Sequence, residues 1–168
     1  MGLFSKDIKT MDHLFLHALQ DIYYAENKIY RSLPAMIENA SNVQLRDGLQ
    51  AHLDETADHV ARLEQVFGML GHKPVSVNCP AIDGIIEEAE EVTGDIEDRN
   101  VLDAAVIAAG QAVEHYEITG YGSLIAWANQ LGRNDVAKLL EQTLAEEKAA
   151  DKKLTSVAES QVNLMAAR

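Results

Sequence analysis

The sequence predicts an all-α protein: a four-helix bundle of two antiparallel helical hairpins, joined by a long crossover that carries a short fifth helix. Three observations predict it. Prolines number three and aromatic residues make up 5% of the chain, and Ala, Leu, Glu and Gln dominate, a composition that favours helix. Apolar residues recur at alternating steps of three and four through four long segments, the period of a helix with one buried face. The connections are unequal, with short turns near Ser41 and Gly132 and a long irregular stretch over 72–99.

The first helix is expected over about 8–39. Its stripe is Met11, Phe15, Ala18, Ile22, Ala25, Ile29, Leu33, Met36 and Ala40, and Pro34 inside it predicts a kink or break. Ser41 or Asn42 then caps a second helix over 43–70. Its stripe is Leu45, Leu49, His52, Thr56, His59, Leu63, Val66 and Leu70, and Gly71 ends it. Pro80 suits the first turn of a short crossover helix over 81–93, closing near Gly94. A helix over 100–131, with Asn100 as its cap, and one over 135–162 flank the turn Gly132-Arg133-Asn134; residues 163–168 are expected to fray. Two short turns and one long crossover match a ferritin-like connection rather than an up-down-up-down one. The whole of 1–168 reads as one domain.

Net charge is −13. That argues against a nucleic-acid face, which needs clustered Lys and Arg, and against an acidic membrane surface. No apolar run is long enough for a membrane span, and residues 1–10 lack the apolar segment of a signal peptide. The expected location is the cytoplasm. One cysteine, Cys79, rules out an intramolecular disulfide and a cysteine-based zinc site, and is read as an inert or weakly exposed thiol.

The informative residues interrupt the apolar stripes. Glu26 lies between Ile22 and Ile29, Glu117 between Val113 and Gly120, and Glu147 between Thr143 and Ala150. A buried carboxylate without a counter-charge is costly unless it is neutralised, paired or metal-bound. Lys28, Arg31, Arg46, Arg62, Lys138 and Lys152 read as outer or flanking, so ion pairing is the weaker explanation. Glu26 and Glu55 are equidistant from the turn at Ala40-Ser41, and Glu117 and Glu147 from Gly132. Each lies roughly 22 Å from its turn at a helical rise of about 1.5 Å per residue, so all four are expected at mid-bundle.

An internal repeat supports this placement. Gln20, Glu26 and Tyr30 recur as Gln111, Glu117 and Tyr121 at an offset of 91, and Glu55 and His59 align with Glu147 and Asp151 at an offset of 92. Symmetric carboxylates are how a bundle builds a binuclear metal site. Helical spacing adds Glu114, one turn before Glu117; Asp151 and His59, each four residues after a central Glu; and His52, three before Glu55. Asp58 points off the stripe into solvent. The pairing with Asp151 favours His59 over His52 as the nitrogen ligand. A site rich in carboxylates and poor in histidine suits iron or manganese better than zinc or copper. Tyr23, Tyr24, Tyr30, Tyr116 and Tyr121 lie near these carboxylates in sequence, either as core or as hydrogen-bond donors to them. Glu87, Glu88, Glu90, Glu91 and Asp95 read as a solvated acidic face.

The stretches Asp21-Ile22-Tyr23-Tyr24-Ala25-Glu26, His52-Leu53-Asp54-Glu55-Thr56, Ile85-Ile86-Glu87-Glu88, Val113-Glu114-His115-Tyr116-Glu117 with Tyr121-Gly122, and Glu146-Glu147-Lys148 with Asp151-Lys152-Lys153-Leu154 resemble the YciF/YciE-type ferritin-like bacterial stress proteins. The resemblance covers roughly 10–158. It implies a ferritin-like bundle, a homodimer and a di-iron-type site, and it favours His52 as a ligand. In one departure from the usual Glu-x-x-His spacing of such sites, Glu147 is followed by Ala150. Two ions per chain, iron or manganese, would lie between terminal Glu26 and Glu147 and bridging Glu55 and Glu117, with oxygen or peroxide redox chemistry as the expected activity. A reductant would come from a redox partner that the sequence does not identify. The alternatives are a non-catalytic metal-binding protein and a structural or interaction bundle with a vestigial site.

Overall fold

The computed structural model describes residues 8–168, and no strand occurs among them. The helices are α1 (Met11–Asn39), α2 (Val43–Met69), α3 (Pro80–Gly94), α4 (Arg99–Gln130) and α5 (Asn134–Val157). A π-helical turn, Ala158–Val162, leads from α5 into the short α6, Asn163–Ala166. Helix α1 packs on α2, and α4 on α5, giving the two hairpins; α1 also meets α4 and α2 meets α5, so the four long helices close around a common core. The crossover helix α3 packs against the outside of α4.

Capping side chains set the boundaries. Helix α1 starts at Met11, not at residue 8, because extended Thr10 accepts a hydrogen bond from the His13 amide at 3.2 Å. It then runs unbroken through Pro34 to Asn39. Pro34 lies on the exposed face, where the Tyr30 carbonyl it leaves unpaired can meet water. Asn42 caps α2 by accepting from the Leu45 amide. Asp98, rather than Asn100, caps α4, and its Oδ1 accepts from the amides of Asn100 and Val101. Gly71 and Gly132, at φ 74° and 73°, terminate α2 and α4 in the left-handed conformation that disfavours a side chain. The C-terminal residues 163–166 are helical, against the expected fraying.

The buried faces are rotated slightly from the predicted stripes. In α1 the core side is Phe15, Leu19, Ile22, Glu26, Ile29 and Leu33, while Met11 is exposed. In α4 it is Leu102, Val106, Gly110, Val113, Glu117, Tyr121, Leu124 and Ala128. Asp103, buried one residue past Leu102, has a separate task. Its carboxylate accepts from the Ser41 amide at 2.7 Å, the Ser41 hydroxyl at 2.7 Å and the Asn42 amide at 2.9 Å, tying the α1–α2 turn to the far hairpin. Replacing it strands three polar groups in a half-buried turn. Asp103→Ala should lower stability by about 3 kcal/mol, read as a fall in the urea midpoint followed by circular dichroism; an unchanged midpoint would show that the clip contributes nothing.

Candidate metal centre

Each long helix sends a polar side chain into the middle of the bundle: Glu26 from α1, His52 and His59 from α2, Glu114 and Glu117 from α4, and Glu147 from α5. All six are buried. They form two sets of potential ligands, His52–Glu114–Glu117–Glu147 and Glu26–His59–Glu147, within each of which one donor atom per residue lies inside 4.8 Å of the others. Glu147 belongs to both. His59 Nδ1 lies 2.9 Å from Glu147 Oε1 and 3.4 Å from Glu26 Oε1, and His52 Nε2 lies 3.4 Å from Glu114 Oε1.

These contacts leave the cluster unsatisfied. Both carboxylate oxygens of Glu117 and of Glu147, one oxygen each of Glu26 and Glu114, and Nδ1 of both histidines are buried without a hydrogen-bond partner. Folded proteins keep such atoms few and scattered, whereas here they are concentrated in one cluster. The donor set fits a cation: hard carboxylate oxygens, two imidazole nitrogens, and orphaned carboxylate oxygens that metal ions would satisfy.

Partners outside the cluster orient it. Glu146 holds His59 from behind, with Oε2 3.0 Å from Nε2, and is itself bonded by Arg62 at 2.8 Å. Arg62 also donates to Thr143. The Tyr121 hydroxyl donates to Glu26. Arg62 is therefore an inward-reaching residue rather than an outer one. The other tyrosines serve elsewhere: Tyr23 donates to Glu64, Tyr24 to Asp83, Tyr116 pairs with the buried Cys79 thiol at 3.0 Å, and Tyr30 is exposed. Cys79 is thus a buried thiol, not a weakly exposed one.

Two of the eight residues singled out from the sequence lie outside the cluster. Glu55 is about half exposed, with its side chain at 48% of full exposure, and reaches only the outer nitrogen of His52 at 3.9 Å. Asp151 accepts from Gln111 at 2.9 Å and faces the exposed His115. Asp58 is exposed, as expected. The error lies in the register of the repeat. At an offset of 91 throughout, buried positions coincide along both arms: Leu45 with Val136, Leu49 with Leu140, His52 with Thr143, Thr56 with Glu147, Leu63 with Leu154 and Val66 with Val157. Glu55 then corresponds to Glu146, which also flanks a histidine from outside. The offset of 92 had displaced it by one residue, about 100° of helix. Continuing the offset seen at Glu26 and Glu117 would have found Glu146.

Electrostatics reflect the crowding. Burial raises the pKa of Glu26, with Glu147 adding to the shift and His59 opposing it. Burial and the neighbouring Glu26 hold Glu117 well above the usual carboxylate range. Burial and the Glu147 charge push Glu114 up to about 10. For His59, burial disfavours the charge, yet Glu147 and Glu26 outweigh it and its pKa rises to about 10.

A bundle of four long helices around buried glutamates and histidines that could bind metal is the architecture of the ferritin-like class. Within that class, the chain belongs to the family called domain of unknown function DUF892, which matches residues 10–167. It is 44% identical over 158 residues to protein YciF of Escherichia coli strain K12, covering 94% of this chain and 95% of that one. The crystal structure of the E. coli stress protein YciF superposes with a TM-score of 0.88 at 45% identity, covering 93% of this chain and 99% of that one. The structure of YcfI from Rhodopseudomonas palustris superposes with a TM-score of 0.90 at 58% identity, covering 92% and 99%. No helix among the described residues is long and apolar enough to cross a membrane.

The pKa directions set a sign for stability. The ordinary values are 4.5 for Glu114 and 6.5 for His59, and both rise to about 10 in the folded chain. The folded state therefore keeps protons that the unfolded chain releases. Their contribution is fully present below the unfolded values and is lost as pH rises towards 10. The thermal midpoint of chelator-treated protein should fall between pH 5 and 9, less steeply in Glu114→Gln and in protein saturated with Mn(II). A midpoint that rises over this range would contradict the assignment.

Proposed function

We propose that the protein is a binuclear non-haem metalloprotein that holds two iron or manganese ions per chain. The observation that carries this reading is the sharing of Glu147 between two buried ligand sets. One ion would take His52, Glu114 and Glu117, the other Glu26 and His59, with Glu147 between them; this replaces the sequence-based arrangement in which Glu55 and Glu117 bridge. Such a pair of ions supplies redox chemistry towards oxygen or peroxide, and protection during stress is the biological context we assign to it. A cytoplasmic homodimer served by a separate reductant completes the reading.

The chain's own residues would do the holding. Glu146, fixed by Arg62, accepts the Nε2 proton of His59 and leaves Nδ1 directed at Glu26 and Glu147. Tyr121 restrains one oxygen of Glu26 and leaves the other uncommitted. Glu55 lies on the far side of His52, 3.9 Å from Nδ1, beyond the reach of the hydrogen bond that Glu146 makes to His59. Burial of the cluster would limit the access of bulk water to the ions.

Elemental analysis of protein loaded with Fe(II) or Mn(II) without oxygen should give about two ions per chain. Glu147→Ala should lose nearly all metal, Glu26→Ala about half, and Glu55→Ala almost none. Full stoichiometry in Glu147→Ala would place the metal elsewhere, and no binding by the native chain would leave a structural bundle with a vestigial site.

A further inference from the structure

A cavity of about 140 Å³ opens among α1, α2, α4 and α5. Its walls are apolar, formed chiefly by Leu33, Leu49, Val113, Leu154 and Val157. Two buried polar residues of the cluster, His52 and Glu114, line its inner end, and each keeps an unpartnered polar atom. Lys153 and Glu55 line it at the exposed side. Gly48 borders the lysine: a Cβ there would lie in ordinary contact with Lys153 Cε, at 3.5 Å. Glu55 is turned towards His52, whereas Lys153 makes no ion pair among the described residues, in a chain of net charge −13.

An apolar void of about 150 Å³ accommodates a benzene ring, so this one suits a chain of about six to eight carbons. An anionic head would find no free cation among the described residues at the inner end, beside Glu114, Glu117 and Glu147. At the mouth it would meet the unpaired ammonium of Lys153. We propose that the cavity binds a short apolar monocarboxylate, its hydrocarbon between Leu33, Leu49, Val113 and Leu154 and its carboxylate on Lys153. The tail then ends beside His52 and Glu114. That this makes the ligand a substrate rests on the binuclear reading; the binding itself does not.

Calorimetric titration of metal-free protein with octanoate, 1-octanol and octylamine tests the binding. Octanoate should bind saturably, with the negative heat-capacity change of apolar burial, and more tightly than octylamine. Lys153→Met should weaken octanoate about ten-fold and leave 1-octanol unchanged. Ala150→Phe, which fills the cavity from α5, and Gly48→Leu, which narrows its mouth, should each abolish binding of both while the helical circular dichroism persists. No saturable octanoate binding at millimolar concentration, tighter binding of octylamine, or undiminished octanoate binding in Lys153→Met or in both filling variants would overturn the proposal. Titrating octanoate into Co(II)-loaded protein separates the two readings: a shifted cobalt spectrum supports the substrate site, whereas a chain that takes up no Co(II) but binds octanoate defeats the metal reading alone.

Discussion

Concentrated negative charge at the centre of a hydrophobic bundle is the constraint on which the rest of this structure depends. Glu26, Glu114, Glu117 and Glu147 are all buried, and like charges at such range cannot all ionise without a counter-charge. Protons serve in the metal-free state, which is why Glu114 holds its proton towards pH 10. Cations would serve better, because they would also satisfy the orphaned oxygens. A core of aliphatic side chains would make a more stable bundle, so the fold alone does not account for the cluster.

The surrounding structure keeps those carboxylates in register. Four helices contribute to one cluster, so a shift of any helix by one residue would turn its ligand outwards. The connections restrict such slippage at both ends: Asp103 clips Ser41 and Asn42 at one, and at the other Gly132 closes the α4–α5 turn, where Arg133 donates to the Met69 carbonyl at the end of α2. Nearer the cluster, the chain Arg62–Glu146–His59 and the bond from Tyr121 to Glu26 fix side-chain orientation. These restraints come from helices other than the one restrained, so the site and the packing of the hairpins depend on each other.

Much of this was legible in the sequence. Periodicity and connection lengths are local properties, and they revealed the all-α architecture, the two hairpins and the crossover helix. Carboxylates interrupting apolar stripes pointed to Glu26, Glu117 and Glu147, and helical spacing to Glu114 and His52. Glu55 and Asp151 were misplaced because one residue turns a helix by about 100°, and turn arithmetic is no finer than that. Arg62 was misread because a long side chain reaches inwards from a flanking backbone position. Asp103 and Glu146 act through neighbours 62 and 87 residues away, a distance at which no local pattern informs.

The offset of 91 relates two hairpins of the same fold that differ in what they bring to the cluster. The N-terminal half retains one inward carboxylate, Glu26, and carries both histidines; the C-terminal half carries Glu114, Glu117 and Glu147 and places Thr143 and Ala150 where the first has His52 and His59. Neither hairpin holds a complete ligand set, so two copies of either one, paired with each other, would not rebuild this cluster: the division of labour makes the chain indivisible.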